Sequence, residues 1–207
     1  MTKEALKARC LQLIEDNKAA IIDIGQEIFA HPELGFKEHN TAALVRSTFE
    51  RLGIPYRDKL AITGVRGDLK GRSDGPRVMV MGELDAVVCP LHPQADRTTG
   101  AAHSCGHNAQ IASMLGAAMG LAPLADQLDG NVAFVAVPAE EYVELEYRER
   151  LRQEGQIRFF GGKQEYLRLG VLDDIDMGMM IHSHAGVRDR HFLINCDSSG
   201  FLGKLIR

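Results

Sequence analysis

Three potential ligands lie close together in the string His103-Ser104-Cys105-Gly106-His107. A thiolate and an imidazole two residues apart can share one soft or borderline cation, and zinc suits such a pair. Gly106 permits a tight backbone turn between them. The helix predicted to start at His107 would also help hold Cys105 as a thiolate. A second chemical pair, Glu140-Glu141, follows a short apolar run. Two adjacent carboxylates there can simply stabilise a helix N-terminus. Beside a metal they can divide the work, one ligating while its neighbour takes a proton from the attacking water.

His182 and His184 point to one face if their segment is extended. Either can ligate, and the other is then an ordinary surface histidine. Glu83 and Asp85 share one side of their segment in the same way. Asp85 can ligate, or it can accept a hydrogen bond from a ligand histidine. A competing chemistry makes Cys105 a nucleophile with His107 as its base. Residues two apart rarely reach that geometry, and Glu140-Glu141 would have no role. His31, His39, His92 and His191 lack a comparable setting and read as surface or loop residues. Cys10, Cys89 and Cys196 read as reduced cytosolic thiols, mostly buried as small apolar groups. The methionines after Met1 read as core.

The elements that must position these groups follow from periodicity. Helical spacing runs from Thr2 to Ala30 and stops at His31-Pro32. A second helix is predicted from near Asn40 to Leu52, with Gly53 as its C-cap. Ala61 to Leu69 reads as a strand. Arg77 to Met81, Asn131 to Val137 and Met177 to Ile181 are short apolar runs, the first two read as buried strands. Helices are predicted over His107 to Leu121, Glu141 to Glu154 and Gly162 to Leu169. Alternating strands and helices define an α/β layer structure with a mainly parallel sheet flanked by helices. Ligands in such sheets bind beyond the carboxyl ends of the strands. Each of the three runs is followed by acids or histidines, so all three deliver them to one rim.

Composition narrows the function. The 207 residues are 45% hydrophobic and 25% charged, ordinary values for a globular chain with one sizeable core. A formal net charge of -4 argues against nucleic acid as a partner. No apolar run approaches a bilayer span, so no membrane partner is expected. The charged stretch from Met1 to Arg9 leads into no secretory signal core. A cytoplasmic location is the expectation.

The motifs together resemble the metal-dependent amidohydrolases related to aminoacylase, hippuricase, the indoleacetyl-amino-acid hydrolases and the aminobenzoyl-glutamate hydrolases. The resemblance rests on Ile28-Phe29-Ala30-His31-Pro32-Glu33-Leu34-Gly35-Phe36 with Glu38 and Thr41, Glu83-Leu84-Asp85-Ala86, His103 to Asn108, Val137 to Glu141, and Asp176 to His182. It implies hydrolysis of the amide bond of an N-acyl amino acid or dipeptide-like substrate with one or two zinc or manganese ions. It implies Cys105, His107, Glu141 and His182 as metal ligands, Glu140 as general base and Asp85 as the group that orients a ligand. Glu83 stands where related families place a histidine ligand, and His184 becomes a neighbour, a candidate substrate contact. Asn108 replaces the family's usual aspartate. Family members are roughly twice as long, so the resemblance implies that residues 1–207 form the N-terminal part of an incomplete catalytic domain. The lid and dimerisation domain and a late histidine ligand would be absent. Such a chain could be a poor hydrolase alone, a non-catalytic metal-binding protein, a homo-oligomer, or half of a split enzyme completed by a C-terminal chain. An unfinished sheet should expose apolar surface or a strand edge.

Overall fold

The computed structural model describes residues 1–183; His184, His191 and Cys196 lie outside them. A five-stranded sheet has the order β1-β2-β6-β3-β7. Its strands are β1 (Tyr56–Leu60), β2 (Gly64–Leu69), β3 (Arg77–Glu83), β6 (Asn131–Val137) and β7 (Met177–Met180). β6, β3 and β7 run parallel, while β1 and β2 add an antiparallel edge. A separate two-stranded ribbon pairs β4 (Val87–Val88) with β5 (Ala101–Ala102).

Helices cover both faces of the sheet. α2 (Lys18–Ala30), α3 (His39–Leu52) and α4 (His107–Leu121) pack on one face with Val65, Leu69, Phe134 and Ala136. α5 (Leu145–Gln153) and α6 (Gly162–Arg168) cover the other, where Ala133, Val135 and Val137 meet Leu151 and Tyr166. β6 therefore sends alternate side chains into two cores, and this explains its unbroken apolar run.

Three departures from the sequence reading have physical causes. The helical stretch from Thr2 to Ala30 is two helices, because α1 (Lys3–Asp16) ends at Asn17, whose side-chain amide donates to Leu13 O at 2.8 Å. α1 is half-buried at best and rests on α4, where a Cβ on Gly120 would come within 2.7 Å of Ile14. Cys10 on this helix is accordingly half-buried, as is Cys89, rather than core. β1 escaped notice because it is a polar, bulged edge strand, the form that resists edge-to-edge pairing. Finally, Met81, Met114 and Met119 are buried, but Met177, Met179 and Met180 are not. All of β7 is exposed, and among the described residues it pairs with β3 alone.

Candidate metal centre

The parallel strands end at a common rim. Glu83 is paired with Val137 across β3 and β6, and Met81 with Met180 across β3 and β7. Glu83 closes β3, with Asp85 two residues beyond. Ala139-Glu140-Glu141 follows β6, and His182 follows β7. α4 begins under this rim with His107 in its first turn. Its Gln110 side chain accepts the Glu83 N–H at 3.0 Å, which ties the helix to the end of β3. Gly106 caps α4 at φ 93°, where a Cβ would sit 2.8 Å from Ser183 Oγ. Glycine thus lets the end of β7 close over the Cys105 turn, and Ser183 Oγ donates to Cys105 O at 2.6 Å.

Cys105, His107 and His182 offer ligand atoms that all lie within 4.8 Å of one another. Cys105 Sγ is 3.5 Å from His182 Nε2. A second group, Glu83, His107 and Glu140, meets the same 4.8 Å limit. Glu141 belongs to neither tight group, yet its Oε1 stands 3.9 Å from His107 Nε2. Asp85 binds the two halves together: its carbonyl oxygen lies 2.8 Å from His107 Nδ1, and its Oδ2 accepts the Glu141 N–H at 2.9 Å. With Nδ1–H directed at that carbonyl, Nε2 is the ring nitrogen that faces the site.

The floor of this site is buried and under-satisfied. Glu83 and His107 are 1% exposed and Asp85 is 0% exposed. His107 Nε2 and Glu83 Oε2 face each other at 3.0 Å as a buried ion pair, while Asp85 Oδ1 and both ring nitrogens of His103 lack a hydrogen-bond partner. Orphaned buried polar atoms are costly unless a cation or water satisfies them. The residues therefore fit a divalent ion: a sulfur, two imidazoles and several carboxylates converge where a buried carboxylate oxygen lacks a hydrogen-bond partner.

Charge follows the same layout. Burial and then its Asp85 and Glu83 neighbours act on His107, and the two acids prevail, raising it to about 10. Burial opposes ionisation of Glu83, but His107 and Lys163 overcome it and hold the carboxyl down to about 2. Burial lowers His103 to about 4, helped by His107. Burial and Glu141 push the Cys105 thiol up to about 12. Burial and three carboxylates thus outweigh the start of α4, and the metal-free thiol is protonated rather than held as thiolate by the helix.

The acid pair does not sit on a helix. α5 starts at Leu145, four residues later than the sequence suggests. Residues 138–144 instead form a loop fixed from below by two buried charged side chains. Glu38 accepts the Ala139 N–H at 2.7 Å and the Thr63 hydroxyl at 2.5 Å. Arg148 donates to Ala139 O at 3.2 Å, to Phe160 O at 2.7 Å and to Glu141 O. Ala139 sits at φ 51°, a left-handed conformation that a non-glycine residue holds only when its surroundings impose it. Helix-terminus stabilisation is therefore not what Glu140 and Glu141 do. The Glu33 carboxylate, from the same early motif as Glu38, accepts the Thr41 N–H and hydroxyl, each at 2.8 Å, at the start of α3.

Sequence reasoning missed Lys163, whose ammonium contacts Glu83 Oε1 and lies 3.4 Å from Glu140 Oε1. It also missed Glu38 and Arg148. The Gly161-Gly162-Lys163 string was a weak signal for the first, and one buried arginine in a charged helix carried none. His31 and His39 are exposed and His92 is half-buried, as surface or loop residues should be.

A parallel sheet edge that gathers a thiol, imidazoles and carboxylates defines a metallohydrolase-type site. Residues 79–186 match Peptidase family M20/M25/M40, and the chain belongs to that family. It is 29% identical over 187 residues to an N-acyl-L-amino acid amidohydrolase of Geobacillus stearothermophilus, covering 88% of this chain and 45% of that protein. It is 35% identical over 127 residues to the N-acetylcysteine deacetylase of Bacillus subtilis, covering 58% of this chain and 33% of that one. The solved structure of the Bacillus subtilis YXEP protein, described as a dinuclear metal binding peptidase of the M20 family, superposes with a TM-score of 0.64 at 30% identity. It covers 80% of this chain and 44% of that one. The chain thus spans less than half the length of these relatives.

Proposed function

We propose that this chain carries the metal-binding part of a hydrolase that cleaves the amide bond of an N-acyl amino acid or dipeptide-like substrate. Cys105, His107, Glu141 and His182 would hold a divalent ion, and Asp85 would fix the orientation of His107. The observation that carries this reading is the convergence of Cys105, His107 and His182, whose ligand atoms all lie within 4.8 Å of one another, with Glu141 Oε1 3.9 Å from His107 Nε2. A thiolate and two imidazoles favour zinc over manganese on softness.

The ion, when bound, supplies Lewis-acid polarisation of the carbonyl and acidifies water. Glu140, half-buried at the rim, takes the proton of the attacking water and delivers it to the leaving amine. Burial and nearby Glu83 raise the Glu140 carboxyl above its ordinary value, which suits an acid that must return its proton. The names of the Geobacillus and Bacillus relatives, an amidohydrolase and a deacetylase, support the substrate class. Free Cys10, Cys89 and Cys105 favour a reducing, cytoplasmic location. No helix among the described residues is long and apolar enough to cross a membrane.

A second reading concerns completeness. The exposed apolar side chains of β7, at the edge of the sheet beside His182, favour a site completed by a further polypeptide segment or a second copy. Residues 1–207 would then be one part of the catalytic domain and a poor hydrolase alone. Metal analysis with a hydrolysis panel of N-acyl amino acids tests both readings, with the chain alone and with a supplied C-terminal half. Chelation should abolish turnover, and bound metal should protect Cys105 from iodoacetamide. Turnover that survives chelation, or full alkylation of the loaded protein, would overturn the metal reading. Full turnover by the isolated monomer would overturn the second.

A further inference from the structure

The two candidate ligand groups share a donor. His107 belongs to both, and with its Nδ1 directed at the Asp85 carbonyl it has one lone pair to give, on Nε2. An ion taken by Cys105, His107 and His182 leaves the second group with Glu83 and Glu140. Those two carboxylates are already bridged, because the Lys163 ammonium contacts Glu83 and reaches Glu140 at 3.4 Å.

Lys163 is set in place by the fold rather than left to swing from the surface. It lies in the first turn of α6, whose Gly162 N–H donates to Ala139 O at 3.2 Å. The Tyr166 hydroxyl anchors the same helix to Ala136 O at 2.8 Å. The helix that presents Lys163 therefore presses on the loop that presents Glu140. On the other side Glu83, 1% exposed, cannot rely on water to balance its charge.

We propose that Lys163 is an internal cation of the second ion position: its ammonium holds Glu83 and Glu140 together when no divalent ion lies between them, and it competes with such an ion for them. The proposal rests on the metal reading above and adds to it. It makes this site differ in kind from one where both positions are equally open to metal. The first ion would bind at the Cys105 group, and the second only by displacing a resident charge.

Zinc titration against a competing chelator, with metal-to-protein ratios after dialysis, tests the idea on wild type, Lys163→Met and Lys163→Arg. The first affinity should stay within about threefold in all three proteins. The second should tighten about tenfold or more in Lys163→Met, where one competing unit charge is gone, and stay at the wild-type value in Lys163→Arg. Without metal, Lys163→Met should melt at a lower temperature than wild type, since buried Glu83 loses one of its two cationic partners and keeps only His107. Excess zinc should stabilise it more than it stabilises wild type. Lys163→Gln, which keeps a donor but no charge, carries the same expectation if Lys163→Met does not fold. A normal first affinity with an unchanged or weaker second one would overturn the proposal alone. No zinc binding to any of the proteins would overturn the metal reading, and this proposal with it.

Discussion

Glu83, Asp85 and His107 form a floor that is at most 1% exposed, whereas Cys105, Glu140 and Glu141 are half-buried and His182 is exposed. The floor stands on β3 and α4, which lie within or against the main core. The rim hangs from a turn, an irregular loop and the end of an edge strand whose side chains are all exposed. The difference separates two tasks. Floor groups cannot be satisfied by water, so they must be matched to each other or to an ion. On the proposed function, rim groups admit substrate and move protons, and such work needs access and a supporting layer. Glu38 and Arg148 provide that layer beneath the acid loop.

The sharpest test of this division compares neighbours on the rim. Glu140→Gln should lower turnover of the assembled, active enzyme by about 10²–10⁴-fold with the first ion, beside Cys105 and His107, retained, because an amide cannot accept the proton. Glu141→Gln should instead lose metal, because an amide is a poor ligand. Equal metal loss in both variants would erase the distinction between them.

A second test sets a proposed floor ligand, His107, against a proposed rim ligand, Cys105, through protons. Without metal, His107 is raised to about 10 and Cys105 to about 12, so both carry protons at pH 7. Ligation removes one proton from each. Zinc binding should therefore release about two protons, and affinity should fall about a hundredfold for each unit drop in pH near neutrality. Calorimetry in buffers of different ionisation heat counts the protons. Cys105→Ser should leave about one, and a wild-type count of one would remove either Cys105 or His107 from the ligand set.

Smaller effects should come from the groups between floor and rim. Asp85→Asn keeps the main-chain carbonyl that takes His107 Nδ1–H but removes the carboxylate charge 3.5 Å from that nitrogen, so it should weaken zinc binding by about tenfold or somewhat more. Ser183→Ala, which removes a single rim hydrogen bond to Cys105 O, should cost about tenfold or less. If the serine change matched the aspartate change, the floor would have no special claim on the ion.

Much of the architecture was legible because it rests on periodicity. α4 and β6 fall on the residues their patterns predicted, and the parallel strands bring their ends to one rim. What stayed hidden depended on contacts between distant segments. The late start of α5 goes with Arg148 gripping the Ala139 and Glu141 carbonyls of the acid loop, and no local pattern encodes a buried arginine. The protonated Cys105 follows from burial and from three carboxylates that converge only in the folded chain. Lys163 reads as an ordinary helix-start lysine until α6 docks beside β6. The early motif was visible as a resemblance, but its work, Glu33 on α3 and Glu38 under Ala139, was not.

Glu38 supplies the last test, one of stability rather than chemistry. It is fully buried, and burial, with Asp85 adding repulsion, pushes its carboxyl up to about 7. The unfolded chain would hold it near the ordinary value of about 4.3. Between these values the folded state binds more protons, so its contribution is full below the unfolded value and is lost as pH rises through 7. His103, lowered to about 4, works in the opposite sense, so wild-type stability alone would blur the two. The difference between wild type and Glu38→Gln isolates Glu38. The amide keeps an oxygen for the Ala139 N–H and can donate to Thr63, so the loop should hold. In chelator-treated protein, urea unfolding should show the variant gaining on wild type by about 2.5 kcal/mol between pH 5 and pH 8. Parallel stability curves would mean that Glu38 keeps the same charge in both states across this range, and that the layer under the acid loop is tuned by some other group.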